Sequence, residues 1–226
     1  MCNEKKNALI VIDGIDGSGK ETQSVILKDW LEQKGKTVRK ISFPDYNNPS
    51  SALVKMYLHG EIAPAEEVNT YAASVFYAAD RYISYKTDWE KDTLEKDFIV
   101  ADRYTTSNII HQMARLPENE REDYMKWLYD FEYGKMKLPA PDLVIYLDMP
   151  PRITKKLLEK RYGGDESKKD ILEKDYDYME KCQNCALYAA DKLGFKVVDC
   201  FEEDEPLSIE EISRKIQIEV TKFFNL

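Results

Sequence analysis

The sequence predicts an α/β protein built around one largely parallel sheet. An apolar run, Ala8–Ile12, leads into a glycine-rich turn, and a helical pattern follows over Thr22–Gln33. The alternation over Lys36–Phe43 indicates a second strand. Because a strand, a helix and a strand form a right-handed crossover unit, these two strands are expected to run parallel. Further strands are predicted over residues 98–101, 143–148 and 196–199.

Length and charge limit the classes of protein that the chain can belong to. With 226 residues and 43% hydrophobic content, it can bury one substantial core, so a single domain over residues 1–226 is expected. A net charge of −9 argues against nucleic-acid or membrane-surface partners, which attract basic proteins. The polar N-terminus and the lack of a long apolar run favour a cytoplasmic location. Cys182 and Cys185 are expected to share one face of a long helix as thiols.

The turn after the first strand has the spacing of a P-loop. In this motif backbone N–H groups and the positive end of the next helix surround a polyphosphate, and a lysine reaches the β- and γ-phosphates. Glycines are needed because a Cβ atom would meet the bound anion. The residues predicted to bind ATP are Gly14, Ile15, Asp16, Gly17, Ser18, Gly19, Lys20, Glu21 and Thr22.

Glu21 departs from the motif, which places Ser or Thr directly after the lysine as a ligand of Mg²⁺. The sequence leaves two interpretations open. Either Glu21 contacts the metal directly or through water, or it points to solvent and other carboxylates hold the metal.

A second group of polar residues is expected where the following strands end. The loop Phe43–Pro49 lies at the carboxyl end of the second strand, the edge at which open α/β sheets bind ligands. A helix is predicted over Ala65–Tyr85, with Glu66 and Glu67 favouring its start. It carries Asp80 and Arg81, interpreted as an ion pair, and the planar Arg81 suits recognition of a base edge.

The third strand ends in Asp102 and Arg103. A carboxylate at the tip of a buried strand beside a P-loop is typical of a residue that holds Mg²⁺ directly or through water, and Arg103 can bind an anionic acceptor with its planar fork. The next helix, beginning at Thr105 or Thr106, carries polar side chains at helical spacing. They are Ser107, Asn108, His111 and Gln112.

A basic stretch lies between residues 152 and 169, in a chain that is otherwise acidic. It contains Arg161 and, at Gly163–Gly164, a possible hinge. We interpret residues 152–170 as a small lid that closes over phosphates, because phosphoryl transfer requires cations. The alternative is a solvated helix face.

Taken together, the glycine-rich segment, Phe43–Pro44, the helix with Asp80–Arg81, and the segment from Asp102 to Gln112 resemble the thymidylate (dTMP) kinase family. The resemblance runs from about residue 8 to residue 226. It implies a P-loop nucleoside monophosphate kinase fold with a five-stranded parallel sheet, a homodimer, and Mg²⁺-assisted transfer of the γ-phosphoryl group of ATP to dTMP.

The resemblance also implies roles for individual residues. Asp16 corresponds to the carboxylate near the 3′-hydroxyl of dTMP and the metal, which Asp102 is expected to share. Tyr77 corresponds to the aromatic residue that stacks on thymine, Arg81 to the residue that hydrogen-bonds it, and Arg103 to the residue that holds the acceptor phosphate. The polar positions that face the base are Asn108 and Gln112, and the substrate loop contributes Pro44.

Several positions depart from the family pattern. Asp45–Tyr46 stand where relatives have arginine, so Tyr46 is expected to reach the acceptor phosphate. His111 replaces a tyrosine that lies against the sugar, and Leu157 replaces an arginine near adenine. Where some members have a P-loop arginine this chain has Gly17, so Arg161 of the lid is expected to supply the catalytic guanidinium.

Other functions are compatible with the P-loop, and one of them is that of another nucleoside monophosphate kinase. A deoxynucleoside kinase would need a carboxylate base, which Asp45 could supply, whereas a binding-only relative would hold nucleotides without turnover. An acceptor monophosphate needs no base because it is already ionised at neutral pH. The chain has only two histidines, His59 and His111, and neither lies in a nucleophile–base pattern.

Overall fold

A computed structural model of the chain describes residues 7–162 and 176–226, with no account of the side chains of residues 159–162. Residues 163–170 of the expected lid, including Gly163–Gly164, therefore lie outside the described residues.

Five parallel strands form the main sheet, as the sequence and the resemblance predicted. They are β1 (Ala8–Gly14), β2 (Val38–Ser42), β3 (Phe98–Asp102), β4 (Leu143–Asp148) and β5 (Lys196–Asp199), in the spatial order β2-β3-β1-β4-β5. The chain leaves β1 toward β2 but leaves β3 in the opposite direction, toward β4. The crevice at the carboxyl ends of β1 and β3 is therefore a topological switch point, where such sheets bind ligands.

Helices cover both faces of the sheet. They are α1 (Lys20–Gln33), α2 (Ala52–Leu58), α3 (Thr70–Ser84), α4 (Asp92–Glu95), α5 (Thr105–His111), α6 (Arg121–Tyr129), α7 (Pro151–Tyr162), α8 (Tyr176–Leu193) and α9 (Ile209–Phe224). A single π-helical turn follows α3 (Tyr85–Trp89) and another follows α6 (Asp130–Lys135). None of the helices in the described part of the chain is both long and apolar enough to cross a membrane.

Side-chain alternation along β1 divides the core between the two faces. Ile10 and Ile12 pack with α1 and α9 on one face, whereas Leu9 and Val11 pack on the other. The α5–α8 side of the sheet carries its own buried cluster, which includes Cys182 and Cys185. Both cysteines are fully buried free thiols on one face of α8, which confirms their structural interpretation.

The predicted helix over Ala65–Tyr85 begins later than expected. Residues 65–69 are not helical, and α3 starts at Thr70 because the Asn69 side chain caps it by accepting hydrogen bonds from the backbone N–H groups of Tyr71 and Ala72. The expectation that Glu66 and Glu67 begin the helix was wrong. The Asn69 side-chain cap determines where the helix starts, whereas acidic residues only favour a helix start in their vicinity.

Two elements were not predicted from the sequence. The exposed residues 203–204 form the turn of a small hairpin between β6 (Phe201–Glu202) and β7 (Glu205–Pro206). The segment from α6 through Asp130–Lys135 had no assigned structure in the sequence analysis, and it contributes a buried acid to the site.

The C-terminal helix has a complete capping box at its start. The Ser208 hydroxyl accepts from the backbone N–H of Glu211, and the Glu211 carboxylate accepts from the backbone N–H of Ser208.

We expect Ser208→Ala to lower the free energy of unfolding by about 1 kcal/mol, because the helix loses its cap. Urea denaturation measures the loss. Ser208→Thr, which keeps the hydroxyl, is the control, and an equal loss in both variants would contradict this account.

Candidate active site

The turn after β1 has the backbone of a phosphate-binding loop. Gly17 and Gly19 have φ angles of +83° and +87°, which favour glycine, and α1 begins at Lys20 with Gly19 as its N-cap. Lys20 Nζ donates to the carbonyl of Ile15 at 2.8 Å and lies 3.7 Å from Asp16 Oδ1. The Ser18 hydroxyl is buried in this turn without a partner in the described part of the chain. Free donors and the helix N-terminus thus converge where an anion can bind.

Lys20 has an unusual protonation equilibrium for a lysine. Burial and then the positive charge of Arg103 lower its pKa to about 8, and Asp16 and Asp102 offset only part of that shift. A bound polyphosphate would favour the charged form and raise this pKa again.

A side chain at Gly17 would be crowded by α7 and strained by the positive φ angle of this residue. A Cβ atom there would lie 3.1 Å from Leu158 Cγ and 3.1 Å from Thr154 Cβ of α7. An arginine at this position, which the resemblance implies for some members of the family, would require Thr154 and Leu158 of α7 to shift slightly. Arg161 lies in the same helix, but its side chain is outside the described residues.

Arg103 lies at the centre of the charged site. Its backbone has φ +62°, an uncommon conformation for a residue other than glycine, and its N–H donates to the carbonyl of Ile12 at 3.0 Å. This anchoring at the carboxyl end of β1 turns the guanidinium toward the P-loop, where it pairs with Asp16 and lies 3.9 Å from Asp13 Oδ1.

The ion pairs around Arg103 change the charge equilibria of the site. Burial disfavours the ionised form of Asp16, but Arg103 and Lys20 outweigh that cost and lower the pKa of its carboxyl. Burial likewise opposes the charge on Arg103, and Asp16 and Asp13 reverse the effect and raise its pKa. The site therefore keeps a permanent cation that an incoming anion can contact.

His111 has its tautomer determined by its neighbours. Its Nε2 lies 3.1 Å from an N–H group of Arg103, which can only donate, so Nε2 accepts and the proton is on Nδ1. Nδ1 faces the Cys182 sulfur at 3.6 Å. Burial and then the charge of Arg103 lower the pKa of His111 to about 4. His111 is therefore neutral at physiological pH.

Asp13 is a site residue that the sequence analysis missed. Its buried carboxylate accepts from Thr106 Oγ1 at 2.6 Å and from Ser107 Oγ at 2.8 Å, so it fixes the start of α5 against β1. The sequence did contain a signal for Asp13, because this acid lies at the end of a buried strand, and the same feature was the reason for selecting Asp102.

Asp102 and Asp16 are the acids best placed for a metal. Burial raises the pKa of Asp102, and Lys20 and Arg103 counter only part of this effect. Mg²⁺ commonly uses one or two carboxylates together with substrate phosphates and water, so a site of this kind suits it. Within residues 7–162 and 176–226 no cluster of three or more His, Cys, Asp or Glu side chains could hold a metal without such additional ligands.

Arg81 and Asp80 have different partners, so the expected ion pair between them was wrong. Neighbouring residues on a helix point in different directions. The Asp80 carboxylate accepts from the backbone N–H of Asp45 at 2.9 Å and from Ser50 Oγ at 2.5 Å, and so holds the substrate loop. Arg81 instead pairs with Glu132, on the π-helical turn after α6.

The two amides of the site have different orientations. Asn108 Nδ2 donates to the carbonyl of Ser74 at 3.3 Å, which leaves its Oδ1 as an acceptor. Gln112 Oε1 accepts from the Arg115 guanidinium at 3.2 Å, so its amide nitrogen is the remaining donor.

The predicted acceptor residues line one cavity of about 460 Å³ at the switch point. Predicted residues in its wall are Asp16, Glu21, Pro44, Tyr46, Tyr77, Arg81, Asp102, Arg103, Ser107, Asn108, His111 and Gln112. The sequence analysis did not select Ser42, Phe43, Leu58, Tyr104, Tyr178 and Met179, which also line it. Glu21 thus faces the cavity, whereas Asp45 and Thr22 are outside its wall.

A parallel sheet with a P-loop at its switch point, next to a cavity with a buried arginine, defines the class of P-loop kinases of small phosphorylated acceptors. Residues 12–216 match the family model described as thymidylate kinase, so the chain belongs to the thymidylate kinase family.

Curated relatives agree with that assignment. The thymidylate kinase of Mycobacterium tuberculosis is 28% identical over 175 residues, covering 76% of this chain and 81% of the relative. A probable thymidylate kinase of Methanocaldococcus jannaschii is 30% identical over 211 residues, covering 93% and 94%. The thymidylate kinase of Plasmodium falciparum is 27% identical over 174 residues, covering 76% and 77%.

The lowered pKa of His111 makes stability depend on pH. Between its folded value of about 4 and an unfolded value near 6.5, the unfolded chain binds more protons. The free energy of unfolding therefore decreases as the pH falls from about 6.5 to about 4. We expect His111→Gln to make this decrease shallower in urea titrations at pH 7, 6 and 5. The matched control is His59→Gln, which removes an exposed histidine, and an unchanged slope in His111→Gln would contradict this account.

Proposed function

We propose that the protein transfers the γ-phosphoryl group of ATP to dTMP and forms dTDP, a step toward dTTP. The observation that carries this proposal is the partly buried Arg103 guanidinium, held by Asp16 of the P-loop in the wall of the acceptor cavity. A cation in this place lies between the donor phosphates on the loop and an anionic group in the cavity.

The chemistry requires alignment and charge compensation more than proton transfer. Phosphoryl transfer passes through a loose transition state in most analyses, and the acceptor phosphate, with a second pKa of about 6, is already a nucleophile. Lys20 binds the donor phosphates and Arg103 holds the acceptor phosphate, with Tyr46 at its side. Asp16 keeps Arg103 in position and lies near the 3′-hydroxyl of the sugar.

The donor and acceptor groups of the cavity favour a thymine-like base edge. Arg81 offers only N–H donors, which match the O4 carbonyl of thymine or uracil, and Asn108 Oδ1 offers an acceptor for N3–H. Cytosine has the opposite pattern, with an amino group and an unprotonated N3. Tyr77 provides an aromatic face for stacking, Gln112 a further amide beside the base, and His111 and Ser107 polar atoms on the sugar–phosphate side.

We propose Mg²⁺ as the cofactor, held by Asp16 and Asp102 directly or through water. The ion would neutralise charge on the β- and γ-phosphates during transfer. Glu21 borders the same cavity with an exposed side chain, and no group of three or more His, Cys, Asp or Glu side chains in the described residues could hold a metal, so we give Glu21 the solvent-facing role.

The remaining cation is proposed to come from a lid over about residues 152–170. Arg161 would neutralise the transferring phosphoryl group, since Gly17 supplies no guanidinium from the P-loop and α7 crowds this position. Leu157, which belongs to α7, packs against the core. The proposed adenine site therefore lacks the arginine that the family has at this position. The lid and the rest of residues 1–226 are proposed to form one domain.

The cellular setting of the protein is also a proposal. A cytoplasmic location agrees with the acidic charge. A homodimer agrees with an exposed apolar stripe on α3, formed by Val75, Tyr82 and Ile83. The same charge disfavours nucleic acid and membrane surfaces as partners.

A deoxynucleoside kinase is less favoured than a monophosphate kinase. Its carboxylate base would be Asp45, but this residue lies outside the cavity wall, and its backbone N–H is bound by Asp80. Arg103 would face a neutral hydroxyl with no anion to bind.

Coupled detection of ADP tests the proposal. With ATP and Mg²⁺, dTMP is expected to be turned over at a rate of 1 to 100 per second, the range typical of kinases, whereas thymidine and dCMP are not. EDTA in place of Mg²⁺ should abolish turnover. Turnover of thymidine alone would establish the deoxynucleoside kinase instead. Nucleotide-dependent stabilisation without ADP release would establish a binding-only protein.

A further inference from the structure

Glu132 and Arg81 form a fully buried, two-pronged ion pair. Arg81 Nε lies 2.8 Å from one carboxylate oxygen of Glu132, and an N–H of its terminal Nη2 nitrogen lies toward the other, with the nitrogen at 2.5 Å. The side chains are 1% and 0% exposed. They come from α3 and from the π-helical turn after α6, 51 residues apart in the chain.

Glu132 also contacts the strand end on which the acceptor site is built. The same carboxylate oxygen that binds Arg81 Nε accepts from Thr105 Oγ1 at 2.8 Å, at the first residue of α5. The remaining terminal nitrogen of Arg81, Nη1, lies 3.4 Å from the carbonyl oxygen of Tyr104. Glu132 thus occupies Nε and Nη2, whereas Nη1 carries two N–H groups and, within the described part of the chain, contacts only the Tyr104 carbonyl with one of them. Arg81 lines the cavity.

Such a pair is a costly way to fill a core. Burying two charges carries a desolvation penalty that their attraction often fails to recover, and apolar residues of similar volume are frequently as stabilising. Its benefit is geometric, because a two-pronged carboxylate fixes both the position and the plane of a guanidinium. The burial of Glu132 therefore indicates a role in orientation.

We propose that Glu132 is the positioning residue for base selection, which rests on the proposed dTMP phosphorylation. By binding Nε and Nη2 of Arg81, it leaves Nη1 as the donor directed at the base. It also keeps the guanidinium from turning in the cavity to suit another base edge. A carbonyl at the 4-position of a pyrimidine is accepted, and an amino group there is rejected because two donors would face each other.

Glu132→Gln tests this assignment, because it retains the shape but can accept only one of the two N–H groups. We expect KM for dTMP to rise about tenfold with kcat within about twofold, since hydrogen bonds to charged groups are strong but this one is remote from the transferred phosphate. The ratio of kcat/KM for dTMP over dCMP should fall about tenfold. The ratio for dTMP over dUMP should stay constant, because both bases have the 4-carbonyl.

Controls separate orientation from general loosening of the fold. Ile216→Ala removes a buried side chain on the opposite face of the sheet and should lower Tm without changing either ratio. Thr105→Val removes one hydrogen bond to Glu132 and should shift the dTMP over dCMP ratio in the same direction by a few fold. If Glu132→Gln does not fold, the Thr105→Val variant tests whether Glu132 positions Arg81 for base selection.

The outcomes for the two proposals are distinguishable. Dissociation constants for dTMP and dCMP from calorimetry report base selection without turnover, so a wild-type protein that binds dTMP selectively but releases no ADP contradicts only the proposed function. A folded Glu132→Gln or Thr105→Val protein with the wild-type dTMP over dCMP ratio overturns the role of Glu132.

Discussion

The pairing of Arg103 with Asp16 is the interaction on which the charged site depends. It joins the end of β3 to the loop after β1, the two strands that flank the switch point of the sheet. The left-handed backbone conformation of Arg103 and the hydrogen bond from its backbone N–H to the Ile12 carbonyl direct the guanidinium into this crevice. Asp16 also lies 3.7 Å from Lys20. In the proposed function, this contact links the residue that would hold the acceptor phosphate to the residue that would hold the donor phosphates. Alignment of this kind is what in-line phosphoryl transfer requires.

The two arginines that line the cavity differ in burial and in their partners, since Arg81 is buried and Arg103 is partly exposed. Arg81 is neutralised by the two-pronged Glu132 carboxylate and is almost completely enclosed, which suits recognition of a neutral base. The partner of Arg103, Asp16, keeps 30% of its side chain exposed, so its contacts are open to rearrangement around an anion. His111 completes this side as a neutral acceptor. Since its pKa is about 4, it adds no charge that would compete with Arg103 at neutral pH.

Local signals in the sequence were sufficient for the strands and the phosphate loop. β1, the turn with Lys20, and the acid at the end of β3 are each determined by residues close together in the chain, and the apolar runs limited where strands could form. The number of strands in the sheet and the grouping of the acceptor residues came instead from the family resemblance, and the order of the strands came only from the structure. Partners distant in sequence were missed, because nothing near Arg81 indicates that Glu132 lies opposite it. The expected pair of Asp80 with Arg81 failed for the same reason, as adjacency in sequence was taken for adjacency in space.

The central claim is that Arg103 binds the phosphate of the acceptor, and calorimetry of dTMP and thymidine tests it without relying on turnover. Wild-type protein is expected to bind dTMP at least about tenfold more tightly than thymidine, since charge-assisted hydrogen bonds to a phosphate are strong. Arg103→Gln should bind the two ligands with nearly equal affinity while thymidine binding stays as in the wild type. An Arg103→Gln protein that still prefers dTMP by the wild-type factor would contradict the account.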